Sequence, residues 1–125
     1  MLYRIMKSEQ GNPTLPRTGA SASTLGARAD KDITPDKYGI VFPGTGGMSV
    51  TPDNPAFLPP NMLTEVQHGK MFVFEIDVAD LLPSLSYRPD PAKPLVHGFV
   101  EPIAPMAFDT YQTAIWSTQG QWRRI

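Results

Sequence analysis

Fourteen prolines and ten glycines stand among 125 residues, and they limit what the chain can fold into more than any other feature. Proline fixes φ and lacks a donor, glycine loosens the backbone, and both interrupt regular structure. The sequence therefore predicts short strands, long ordered loops and few helices. Long loops in a compact domain are tolerated mostly where they serve a function. A chain of this length fits one domain, residues 1–125, and nearly all of it must contribute to one core. Its 41 % hydrophobic content is enough for that core.

Hydrophobic alternation places the strands. Residues 2–6 read as a terminal strand with Leu2, Arg4 and Met6 on one face and Tyr3 and Ile5 on the other. Residues 8–37 carry little apolar periodicity and predict a long loop, with one turn around residues 20–25. Residues 38–51 hold two short strands separated by Pro43-Gly44-Thr45-Gly46-Gly47, after which Met48 and Val50 face the core and Ser49 faces away. The four prolines of residues 52–61 predict an extended or turning segment. Residues 71–77 are the best strand, with Phe72, Phe74 and Ile76 on one face. One helical turn follows and stops at Pro83. Residues 86–94 read as loop, and residues 95–101 as a strand with Leu95, His97, Phe99 and Glu101 on a shared face. The one helix is expected over residues 107–119, with the stripe Phe108, Tyr111, Ile115 turned to the core and Asp109 in its first turn. The fold class is α+β: a small, twisted, mostly antiparallel sheet with a C-terminal helix.

Composition excludes several functions. The net charge is −1, from 11 basic and 12 acidic residues, with no basic stripe, so duplex nucleic-acid binding is not expected. With no cysteine, the chain has no disulfide, thiolate metal site or thiol nucleophile. Two histidines are too few for most histidine-based metal sites, and no metal is expected. No apolar run is long enough to span a bilayer, so no membrane partner is expected. The N-terminal residues lack an apolar signal core. A cytoplasmic site of action is the expectation, with delivery into a target cell without a cleaved signal left open.

The familiar catalytic motifs are missing. Gly44-Thr45-Gly46-Gly47 precedes a strand and lacks the Lys-Ser/Thr of a phosphate loop. Met48-Ser49-Val50 lacks the following helix of a hydrolase elbow, which Pro52 and Pro55 forbid. What remains is one polar residue on each of three otherwise apolar strands: Arg4, Ser49 and Glu101. That set suits cleavage of the bond between nicotinamide and ribose. The transition state is oxocarbenium-like, but the pyridine leaves neutral and needs no proton, so one carboxylate can stabilise it where glycosidases use two. Arg4 can hold the pyrophosphate or ribose, Ser49 the ribose, and Tyr38 can stack on the nicotinamide. Each has a plainer alternative. Arg4 can pair with a loop carboxylate such as Asp32, Ser49 can satisfy a backbone group, and Glu101 can be a solvated strand end. His97 can orient Glu101 or merely be hydrogen-bonded in place. Gly46 and Gly47 can admit a ligand closely or simply form a tight turn. Arg28 and Asp32 are expected to form an ion pair that pins the long loop. Trp116 and Trp122 fit either edge packing or a partner surface.

Four segments, in order, carry a resemblance: Leu2-Tyr3-Arg4, Ala27-Arg28-Ala29-x-x-Asp32-Ile33, Pro43-x-Thr45-Gly46-Gly47-Met48-Ser49-Val50 and His97-x-x-x-x-Pro102-x-x-Pro105-Met106. Together they resemble a family of type VI secretion toxins with an ADP-ribosyltransferase-like fold that act in the cytoplasm of a target bacterium. The resemblance runs from Leu2 to about Tyr111. It implies NAD as substrate, an ADP-ribose acceptor of unspecified kind, and a partner immunity protein. The wider transferase superfamily carries an Arg or His on its first strand, a Ser or Thr on a middle strand and a Glu on a late one, which puts Arg4, Ser49 and Glu101 in those places. Two other classes fit the same residues: an NAD glycohydrolase or phosphorylase toxin, and a non-catalytic toxin or binding module that acts through a protein partner.

Overall fold

The computed structural model, which describes residues 1–125, holds ten strands and two α-helices. The strands are β1 (Leu2–Met6), β2 (Ser8–Glu9), β3 (Asn12–Pro16), β4 (Ile40–Val41), β5 (Met48–Pro52), β6 (Phe72–Ile76), β7 (Leu85–Pro89), β8 (Gly98–Pro102), β9 (Met106–Ala107) and β10 (Arg123–Arg124). The helices are α1 (Pro60–Gln67) and α2 (Phe108–Ser117). Six strands make the main sheet in the order β10-β6-β1-β5-β8-β7, every neighbouring pair antiparallel. Two small ribbons, β2–β3 and β4–β9, stand outside it.

Period-2 alternation divides the apolar residues between the two sheet faces. Leu2 and Met6 of β1, Phe74 and Ile76 of β6, Met48 and Val50 of β5, and Val100 of β8 turn to one face and bury against Tyr111 and Ile115 of α2 and against Trp122. Tyr3 and Ile5 turn to the other face, where Leu58, Met71 and the α1 residues Met62, Leu63 and Val66 cover them. Helix α2 is also stitched to the chain by hydrogen bonds. The Gln112 amide donates to the Ala27 carbonyl (2.9 Å) and accepts from the Ala27 N–H (2.8 Å). The Tyr111 hydroxyl donates to the Val100 carbonyl (2.6 Å) and accepts from the Met48 N–H (3.0 Å).

The expected α+β class, antiparallel sheet and C-terminal helix are all present. Four local expectations are corrected. The segment 8–37 is not all loop, because β2 and β3 form a hairpin at its start. Residues 60–67 form α1. Pro60 opens that helix, where its missing N–H is not needed and its φ already fits. Residues 85–89 form β7, an edge strand that can end in Pro89 without losing a ladder bond. The late strand starts at Gly98 rather than at residue 95, since Leu95–His97 belong to a turn in which the Val96 and His97 N–H groups donate to the Lys93 carbonyl (3.2 and 3.1 Å). Trp122, left open in the sequence, is core at 2 % exposure, whereas Trp116 stays at the surface and donates to the Gly19 carbonyl (3.1 Å).

Candidate active site

The sheet parts at its centre. β1 and β5 pair at Leu2↔Pro52 and Tyr3↔Thr51 and then separate, because Arg4 occupies the gap. Its Nη1 donates to the Ser49 carbonyl (2.7 Å), its Nε and Nη2 donate to the Thr24 carbonyl (3.1 and 2.8 Å), and Nη2 also donates to the Ser21 carbonyl (3.2 Å). Four of the five guanidinium hydrogens are thus spent on main-chain carbonyls, and one Nη1 hydrogen remains. The expected carboxylate partner is not on Arg4. Asp32 instead takes Arg28, through Nε (3.2 Å) and Nη2 (3.0 Å), as the i,i+4 spacing suggested. Burial pulls the Arg4 pKa down to about 10, with the nearby Asp32 charge pulling the other way. Arg4 therefore remains a cation at neutral pH. The bond to Asp32 raises the Arg28 pKa.

A cavity of about 310 Å³ opens at this parting. Arg4, Arg28, Asp32, Ser49, Asn61 and His97 form its polar lining, and Tyr3, Leu58 and Met62 its apolar wall. β1, β5, α1 and three loops thus converge on one hollow. Ser49 lies opposite Phe99 of β8. Glu101, two residues beyond Phe99 on β8, is the diagonal neighbour of Ser49 on the same face, roughly 7–8 Å away in backbone terms, and His97 ends the turn that leads into β8. The Ser49 carbonyl is taken by Arg4, whereas its hydroxyl makes no hydrogen bond to protein.

Glu101 stands just outside the cavity and is 6 % exposed. Its Oε2 accepts from the Gly44 N–H (2.8 Å) and from Arg88 Nε (2.9 Å). It is no solvated strand end: it holds the Pro43–Gly47 loop against β8 with one oxygen and leaves Oε1 without a protein partner. His97 does not orient Glu101. Its Nδ1 lies 2.8 Å from Asp90 Oδ2, and its ring meets Phe99 edge-on, with centroids 5.0 Å apart. The hydrogen bond from His97, aided by the Ala92 N–H, holds the Asp90 carboxyl below the usual range.

Three of the residues expected to bind the ligand, Tyr38, Gly46 and Gly47, do not line the cavity. Tyr38 is 76 % exposed on a turn built around Asp36, and it lines no part of the cavity. Gly46 and Gly47 are filled by the chain itself. A Cβ on Gly46 would sit 2.3 Å from the Asp32 carbonyl oxygen, and one on Gly47 the same distance from that of Val100. Both have positive φ, 128° and 157°. Close backbone packing therefore explains the two glycines, and they leave no open approach for a ligand. Arg88 and Asp90 escaped the sequence reading because Arg88-Pro89-Asp90-Pro91 looks like loop. The alternation of Leu85 and Tyr87 just before it was the available signal. No cluster of three or more His, Cys, Asp or Glu side chains is arranged to hold a metal, and no helix is long and apolar enough to cross a membrane.

No protein-family model and no curated protein matches this chain.

Proposed function

We propose that this chain is an NAD-consuming toxin with an ADP-ribosyltransferase-like site at the parting of β1 and β5. The observation that carries this reading is the meeting of Arg4 and Ser49 at one cavity, with Glu101 on the adjoining strand and the same face as Ser49. The four-segment sequence resemblance supports it independently. Ligand sites usually span about 300–1,000 Å³. At about 310 Å³ the hollow fits one half of a dinucleotide, with the other half running out past the rim.

The chemistry follows from the groups available. The free Glu101 Oε1 hydrogen-bonds a ribose hydroxyl and stabilises the positive charge that develops as the bond to nicotinamide breaks. Arg88 and the Gly44 N–H hold that carboxylate in place. Arg4 shapes the site more than it grips the ligand, since one N–H is left for the ribose or phosphate. Arg28, whose side chain is 37 % exposed at the cavity, supplies a second cation for the pyrophosphate. The site of action is the cytoplasm of a bacterial cell, and an immunity protein covering the cleft protects the producer.

Calorimetric titration of the purified chain with NAD, with nicotinamide release followed by chromatography, tests this function. Saturable binding and nicotinamide release by the wild type, with release lost in Glu101→Gln, are expected. Absence of both in the wild type contradicts it, and binding without release leaves a non-catalytic binding module.

A further inference from the structure

Asp90 and His97 form a built pair that NAD binding alone leaves unused. Both sit at the base of one short turn, where the Asp90 N–H donates to the His97 carbonyl (3.0 Å) and the His97 N–H to the Lys93 carbonyl (3.1 Å). Asp90 Oδ1 accepts from the Ala92 N–H (2.9 Å), which leaves Oδ2 for His97 Nδ1 at 2.8 Å. The edge contact with Phe99 fixes the ring plane from another side. A carboxylate on Nδ1 selects the tautomer in which neutral Nε2 carries the free lone pair. Nε2 has no protein partner, and the imidazole forms part of the cavity wall together with Ser49.

A histidine placed only for packing has no need of an oriented, unpartnered nitrogen at a ligand-sized hollow. We infer that His97, oriented by Asp90, is the general base that takes the proton from an oxygen nucleophile attacking the ribose in this cleft. The inference rests on the NAD reading of the same site and adds the acceptor class, water or a hydroxyl group. In the step, the bond from ribose C1′ to nicotinamide breaks and its electron pair leaves with the nicotinamide, which departs neutral. The nucleophile's oxygen bonds to C1′, and its proton passes to Nε2 and then to solvent. Imidazole is matched to an oxygen acid whose acidity rises as it bonds to a cationic carbon. It is poorly matched to a guanidinium acceptor, which holds its proton above about pH 12. The charged groups around the ring are Asp90 and Lys93 on its own turn, Arg88 over the Phe99 ring (4.8 Å), and the Arg28–Asp32 pair on the cavity lining.

The experiment compares purified wild type, His97→Ala, Asp90→Ala and Asp90→Glu for nicotinamide release across pH, and for NAD affinity by calorimetry. His97→Ala is expected to lower kcat by about a hundredfold or more, with the NAD dissociation constant within about twofold of wild type and the acidic limb of the rate profile gone. Asp90→Ala is expected to cost about tenfold or more, with most of the loss recovered in Asp90→Glu. Free ADP-ribose as product identifies water as the acceptor, and an O-linked adduct on added methanol identifies a hydroxyl; either supports the inference. Undiminished release by His97→Ala, or transfer to added agmatine that persists in that variant, overturns the base assignment and leaves the NAD reading standing. Failure of the wild type to bind or cleave NAD overturns both.

Discussion

Arg4 satisfies three main-chain carbonyls that belong to two different segments, the 21–24 turn and β5. Removing it leaves those carbonyls unpaired in a largely buried place. Arg4→Ala is expected to lower stability by about 2–4 kcal/mol, read as a shift of the urea midpoint. A loss under about 1 kcal/mol would show that the turn does not depend on it. Glu101→Gln should behave in the opposite way. Glutamine keeps an oxygen for the Gly44 N–H and loses only a partly exposed ion pair to Arg88, so stability should fall by about 1 kcal/mol or less while nicotinamide release disappears. Gly47→Ala should cost about 3 kcal/mol or more, because its Cβ would meet the Val100 carbonyl oxygen at 2.3 Å and its φ of +157° disfavours any side chain. The candidate residues Arg4, Ser49 and Glu101 were legible in the sequence because a lone polar group in an apolar strand must have a reason. Their partners were not legible. Three of the four Arg4 bonds go to carbonyls of a segment whose own residues, Ser21 and Thr24, signal nothing, and Tyr38 was chosen for ring chemistry that its exposed turn does not use.

Elements with strong period-2 or helical patterning were placed correctly from the sequence. Residues 71–77 and 107–119 hold β6 and α2. Two of the missed elements are bounded by proline. α1 starts on one and β7 ends on one, so a residue read as a breaker is here a boundary. Short strands such as β2 and β3 have too few residues to show a period and exist because they pair with each other. Among the elements, α2 is tied to the sheet through Tyr111, whose hydroxyl bonds Met48 of β5 and Val100 of β8. Burial pushes the Tyr111 pKa well up from its ordinary value near 10.0. The folded state therefore keeps the proton after the unfolded chain has lost it. That contribution is complete below about pH 10 and is lost as pH rises above it. Thermal melts should show stability falling with alkalinity from about pH 10. In Tyr111→Phe the alkaline fall should be shallower, and stability at pH 7 should already be lower by about 1–3 kcal/mol, since the Met48 N–H and Val100 carbonyl lose their partner. An unchanged alkaline slope in that variant would assign the fall to other groups.

At the scale of the molecule, the sheet is covered by α2 and Trp122 on one face and by α1 on part of the other. The rest of that second face, along β5 and β8, carries Ser49 and Glu101, with His97 in the turn that enters β8, and the gap beside β5 gives access to Arg4. The arrangement concentrates oriented polar groups at one opening while the core stays apolar, with Arg4 the charged group that spans the gap. Consumption of NAD at this opening, in a bacterial cytoplasm, is the function proposed above. The most direct measurement is induced cytoplasmic expression in a bacterial host of wild type and Glu101→Gln, with growth and cellular NAD followed in the same cultures. Growth arrest and falling NAD are expected with the wild type, and neither with the variant at equal protein level. Arrest by both proteins with NAD unchanged would contradict that function.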